Sequence, residues 1–581
     1  MRQQVVLTGV ALTLLCLLLY WWGLGDVPFY TKGEPREATV VWEIYTTQEW
    51  VLPLRNGHLI PSKPPLFHWL GTLVSYASGG VNEFSIRFPS AALATIGVLL
   101  TYSTGVVLWG VEAGVVAAIV LATSFEWSRA ATTARVDMTL TVCMVAAFLF
   151  FFFLYRRGTI RRRDAFLLYV LLGLAMLAKG PVGAILPGLT VILFLALRKQ
   201  LMVLRQLHVI SGSLLVLLIA GSWYGLALWQ GGYDFFTKQI MKENILRFFT
   251  SDAGHEHPFY YFLPNLFLGM VPWSFFFPPL IVYLYHQRRT WAEKEYLYFI
   301  VWIATVFLFY SVATSKRSVY ILPLYPAVAL LLGAWWQELR HGSTTVSPPF
   351  FRLIQASGYL CLLLAGVIIA AIGFQALGYD PLAIIRPLLH PRDQSNLPMF
   401  TGIVSTYPSA FLLWSVVTVV AVSLLIVGTQ RRYWGWVFAG LASFTISAVL
   451  LVNMVFQPTV ATTRTYRPFM ERVVMQVGQA PLLFFQTFDN GALYYSKRRI
   501  PQYDTNLLQP NLAYFLLMRK SKWDEIAARN ETSLVMVDVS EGTGPKDRHR
   551  LALVYAPKGD FVSVEEPVVP ADEDEPEADA L

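Results

Sequence analysis

Residues 137–163 read DMTLTVCMVAAFLFFFFLYRRGTIRRR, a long apolar run opened by a carboxylate and closed by five arginines. An α-helix needs about 20 mostly apolar residues to cross the hydrocarbon of a bilayer. Lys and Arg collect in the short loops left in the cytoplasm. The stretch therefore reads as a membrane span that starts at the outer face with Asp137 and ends inside with Arg156–Arg163.

The rest of the chain repeats the pattern. Of 581 residues, 55% are hydrophobic and 14% charged, where ordinary soluble domains carry about 25% charge. Candidate spans fall at 5–23, 84–108, 111–126, 137–155, 165–178, 180–197, 208–230, 262–285, 294–312, 319–337, 354–378, 408–428 and 433–456. The first is read as a retained helix, because its apolar stretch is long for a signal peptide and no small-residue cleavage site precedes Asp26. With the amino terminus inside, five loops become cytoplasmic: Arg156–Arg163, Arg198–Arg205, His286–Arg289, Glu338–His341 and Gln430–Arg432. All five carry arginine, which supports the register and accounts for the net charge of +8 without a nucleic-acid partner. The three cysteines, Cys16, Cys143 and Cys361, lie in apolar runs and form neither a disulfide framework nor a metal spacing.

The predicted fold class is mainly α: a polytopic membrane protein of about thirteen transmembrane helices over 1–457, with a first outer loop at 24–83. A small extracytoplasmic α/β domain follows at 458–564, where PLLFFQTF (481–488) and SLVMVDVS (533–540) read as strands and NLAYFLLMRKSKWDEIAARN (511–530) as helical. The acidic, Pro-bearing end, 565–581, reads as disordered. No internal repeat is visible, which disfavours a transporter built from inverted repeats.

Ionisable residues concentrate on the outer side. GEPREA, Gly33–Ala38, follows the first span; Pro35 suits a helix start, and Ala38, Val41, Trp42 and Tyr45 make an amphipathic helix lying on the membrane surface. Its Glu34 and Glu37 either complement the helix dipole or serve chemistry. In SKPPLFHWL (62–70), two prolines hold Lys63 at the edge of the next apolar segment, as a snorkelling anchor or an anion contact. Asp137 stands at bilayer depth, where a carboxylate is costly and functional by default, with structural pairing to Arg129 or Arg135 as the alternative. The loop 231–261 brings Lys238, Lys242, Arg247, His255 and His257 beside aromatics, and TSKRSVYILP (314–323) adds Lys316, Arg317 and Tyr320. Lys179, in LAKGPVG, is one more outer cation. Cations beside an apolar groove suit a lipid-linked phosphate.

In their order, GEPREA, W-V-x-P-x-x-N-G, KPPLFHWL, ARVDM, LAKGPVG, HPFYYFLP and SKRSVYILP resemble the polyprenyl-phosphate-sugar glycosyltransferases of the GT-C class. Among these, the lipid A aminoarabinose transferases are more similar than the protein O-mannosyltransferases. The resemblance implies an inner-membrane enzyme that moves a sugar from a polyprenyl-phosphate donor to a periplasmic acceptor, lipid A or another glycolipid. A protein acceptor, or a lipid or sugar flippase, is the alternative. It implies catalytic carboxylates at Glu34, Glu37 and Asp137, carrier-phosphate contacts at Lys63, Arg247, Lys316 and Arg317, and further substrate contacts at Arg36 and Tyr320. Gly33 occupies the place where relatives often carry Asp, so either Glu34 or Glu37 takes that role. No cofactor is required; the resemblance raises only a divalent metal at His255, and Ser62 stands where a glutamate of that metal site is expected.

Overall fold

The computed structural model describes residues 2–246, 257–291, 293, 295–342, 348–377, 379, 397–504, 513–528, 533–541 and 550–558. Arg247, His255 and the acidic tail 565–581 lie outside the described residues. Every predicted span is occupied by helix. Among the described residues, seven helices are long and apolar enough to cross a membrane, and two bent pairs, Val111–Thr123 with Phe125–Ala131 and Phe262–Gly269 with Trp273–His286, bring the number to nine if each is one span. Of the other expected spans, Val182–Leu197, Tyr296–Val312 and Leu362–Gln375 are apolar but shorter. The helix Arg162–Lys179 carries Arg162, Arg163, Asp164 and Lys179 at its two ends.

Small residues let the bundle close. A Cβ on Gly105 would stand 2.7 Å from the Gly114 Cα, so the Glu83–Trp109 and Val111–Thr123 helices meet backbone to backbone. This is how membrane helices gain contact where lipid offers no hydrophobic drive between them. Aromatic rings fill the wider gaps: Phe148 stacks on Trp302 at 4.4 Å and Phe152 on Tyr298 at 4.7 Å. At one end of the bundle the basic loops interlock. Arg156 pairs with Glu295 at 2.6 Å, Arg198 donates to the Tyr155 hydroxyl, and that hydroxyl donates to Gln200.

Three expectations change. Residues 231–246, read as loop, continue the preceding helix past a break at Gly232 (φ 54°, ψ −138°). The helix Gly33–Thr47 does not lie on a surface: ten of its residues are buried, Glu34, Glu37 and Glu43 among them. Its outer side is covered by the C-terminal domain, so polar positions that would face water in isolation are enclosed. In 511–530, Tyr514–Arg519 is a strand, and only Lys520–Ala528 is helical. The apolar run YFLLMR is enclosed by neighbours on both edges, which favours a strand over its helical tendency.

The C-terminal sheet holds β1 (Leu482–Phe484), β2 (Tyr514–Arg519), β3 (Val535–Val539) and β4 (Leu551–Ala556) in the order β1-β2-β4-β3. β1 and β2 are parallel; the other pairs are antiparallel. Phe469, Met470 and Val473 of the Arg467–Val477 helix close its core with Leu482, Phe484 and Leu553. This domain grips the first outer loop. Asn56 exchanges two hydrogen bonds with the Ile500 backbone, at 2.7 and 2.8 Å, and Arg499 pairs with Glu43 at 2.9 Å. The Tyr495 hydroxyl donates to Glu83 and accepts from the Phe29 N–H.

Candidate active site

The Gly33–Thr47 helix sends its two glutamates to different partners. Glu34 is fully buried and takes a two-pronged contact from Arg87, Nε to Oε1 at 2.7 Å and Nη2 to Oε2 at 3.2 Å. The Ala134 N–H also donates to Oε1 at 3.1 Å, so Glu34 ties the loop before Asp137 to the start of the helix. Arg87 completes the knot by donating to the Leu24 and Val27 carbonyls. A carboxylate saturated in this way is a structural clamp, and its acceptor sites are already taken.

Glu37, one turn on, accepts from Arg36 Nη2 at 2.8 Å and contacts His68 Nε2 at 2.7 Å. Burial alone would raise its pKa, yet the Arg36 guanidinium and His68 hold the carboxyl well below the ordinary carboxylate range. Glu37 is therefore ionised throughout the working pH range and serves to orient His68. His68 and Lys63 line one cavity with Val40, Ile44, Leu52 and Trp223. Charge and apolar wall thus meet at one place, below the loop that the C-terminal domain grips.

Lys63 is ion-paired with Glu243 of the helical segment beyond Gly232, and both side chains are largely buried. Asp137 pairs with Lys179, whose ammonium stands 4.2 Å from the centre of the Tyr320 ring. Arg135 and Arg317 act on the same carboxylate electrostatically. Three separated stretches, 135–137, 179 and 317–320, therefore converge on one carboxylate. Lys316 turns away from them: buried, it donates to the Ala313 and His257 carbonyls at 2.6 and 2.9 Å, and burial lowers its pKa.

Residues 62–224 match the family described as Dolichyl-phosphate-mannose-protein mannosyltransferase. An undecaprenyl phosphate-α-4-amino-4-deoxy-L-arabinose arabinosyl transferase of Pectobacterium carotovorum is 28% identical over 456 residues, 76% of this chain and 75% of that one. A Shewanella sediminis protein of the same description is 30% identical over 57% of this chain and 60% of its own. The crystal structure of ArnT from Cupriavidus metallidurans bound to undecaprenyl phosphate superposes with a TM-score of 0.71 at 19% identity, covering 94% of this chain and 97% of that one. The chain is a GT-C glycosyltransferase resembling the lipid A arabinose transferases.

In this glycosyltransferase several site residues escape a sequence reading. Arg87 sits inside the span 84–108, where an arginine is a signal of function or pairing that went unused. His68 stands in KPPLFHWL beside Lys63 but has no charge signature of its own. Glu243 is one of several acids in the loop 231–261, and its pairing with Lys63 spans 180 positions.

The divalent metal implied by the resemblance finds no seat among the described residues, where no three His, Cys, Asp or Glu side chains converge. The Glu37–His68 pair carries a guanidinium on the same carboxylate, a poor neighbour for a cation.

Proposed function

We propose that this enzyme transfers a sugar from an undecaprenyl-phosphate carrier to lipid A or another envelope glycolipid, at the periplasmic face of the inner membrane. One observation carries the reading: Lys63, Gln239 and the Glu37-held His68 line a single small cavity whose other walls, Val40, Ile44, Leu52 and Trp223 among them, are apolar. A polyprenyl phosphate has that combination of a charged head and an apolar tail. The named donor of the Pectobacterium relative has the same chemistry.

In this mechanism Lys63 receives the negative charge that develops on the departing carrier phosphate, a task preorganised cations do well in a site shielded from water. Asp137, oriented by Lys179, takes the proton of an acceptor hydroxyl or positions an acceptor phosphate. Glu37 stays ionised and fixes His68, while Glu34 and Arg87 hold the two loops together. Arg36, Arg317 and Tyr320 are the further substrate contacts in this scheme. The functional division is a membrane domain to about residue 457 that performs the chemistry and a terminal domain that clamps the first outer loop.

Mass spectrometry of lipid A from a deletion strain, with and without the restored gene, tests the acceptor. Loss of a pentose- or hexose-sized mass that returns with the gene is expected. Unchanged lipid A together with a lost protein glycan would move the acceptor to protein, as the family description of residues 62–224 suggests.

A further inference from the structure

Lys63 already has an anion on it. Glu243 reaches it from a helical segment, Phe236–Leu246, that lies beyond the Gly232 break and is pinned to the Lys63 loop by Gln239 donating to the Pro61 carbonyl. Side-chain exposure is 12% for Lys63 and 7% for Glu243, so the pair is shielded from water and from salt. Lys63 also lines the small cavity, together with Phe235 at the end of the preceding helix and Gln239 of the same segment. A carboxylate therefore sits on the ammonium where the proposed function needs a phosphate, beside a small cavity with mostly apolar walls.

We propose that Glu243 is an intramolecular competitor for the carrier phosphate, resting on Lys63 in the empty enzyme and exchanging with the donor. This rests on the assignment of the carrier phosphate to Lys63. The charge balance follows from it. A sugar-bearing phosphodiester carries one negative charge, and the carrier phosphate left after transfer carries about −1.5 to −2 at neutral pH, as other phosphomonoesters do. Without a competitor, the product would hold Lys63 more firmly than the donor does. Return of Glu243 to Lys63 lowers the affinity for both ligands and so helps the tightly held spent carrier leave. Glu243 thus sets donor affinity and product release without touching the reacting atoms, and it is a positioning residue.

The test measures binding of undecaprenyl phosphate to purified enzyme in detergent, for wild type, Glu243→Gln, Lys63→Ala and the double variant. Glutamine keeps the volume and a hydrogen-bonding oxygen beside Lys63 while removing the charge. Glu243→Gln is expected to bind about ten-fold tighter or better, since a hydrogen bond to a charged group is worth at least one decade. Its carrier-induced rise in thermal midpoint should exceed that of wild type, and kcat should fall with KM as product release slows. In the Lys63→Ala background the same change should bring no gain. Unchanged or weaker binding by Glu243→Gln, with Lys63→Ala still impaired, overturns the competitor and leaves the phosphate at Lys63. Unchanged binding by Lys63→Ala overturns the assignment on which both rest.

Discussion

Arg87 and Glu34, 53 positions apart, form a buried two-pronged ion pair that joins the second span to the first turn of the GEPREA helix. Its Nε–Oε1 distance is 2.7 Å, and the pair also receives the Ala134 N–H of the loop leading to Asp137.

Breaking that pair from one side should be expensive. Arg87→Ala and Glu34→Ala each leave an uncompensated buried charge, worth about 3–5 kcal/mol. Both are expected to lower the thermal midpoint sharply in detergent, with the double variant losing less than the two singles together. Losses that simply add would show that the two residues do not act as a pair.

Asp137→Asn should retain the fold and lose the reaction. The amide keeps the shape but takes no proton, and general-base assistance contributes about 10²–10⁴-fold. A fall of that size in kcat, with carrier binding near wild type, is the expected result in a reconstituted transfer assay. Lys179→Met should reduce kcat as well, because it releases the carboxylate that Lys179 holds.

One amide supplies two of the hydrogen bonds by which the C-terminal domain grips the outer loop. Asn56→Ala strips the Ile500 N–H and carbonyl of their buried partners, at about 1–3 kcal/mol for a group left unsatisfied. Faster proteolytic release of the C-terminal domain is expected, along with a raised KM for the donor. Equal protease resistance would show that the interlock does not depend on this residue.

Sidedness is open to labelling. With Cys16, Cys143 and Cys361 replaced, single cysteines at the exposed positions Ser78 and Ser521 should react with an impermeant thiol reagent in intact spheroplasts. Cysteines at Thr159 and His341, also exposed, should react only after lysis. Labelling of Ser78 and Ser521 from opposite sides would separate the outer loop from the domain that grips it.

A carboxylate pair three residues apart in GEPREA, a lysine before two prolines and an aspartate at the mouth of a span all stand out in the sequence, because each is an anomaly in its own neighbourhood. Their partners were not. His68 looks like any aromatic-flanked histidine until it meets Glu37, and Glu243 looks like a solvated acid until Lys63 is found on it. The surface placement of the Gly33–Thr47 helix failed for the same reason: a local pattern cannot reveal that a domain hundreds of residues later covers its other face.

Hydropathy and loop charge are properties of consecutive residues, set by the cost of placing each one in lipid or water. The sequence by itself therefore determined that the chain is a multi-pass helical membrane protein, and it set the basic loops apart from the other ionisable clusters along the chain. Which carboxylate clamps, which orients and which stays open to chemistry depends on contacts between Glu34 and Arg87, Asp137 and Lys179, or Asn56 and Ile500. Those pairings are made only when distant segments close on one another, and a buried charge takes its role from the partner that neutralises it. Only the tertiary structure decided them.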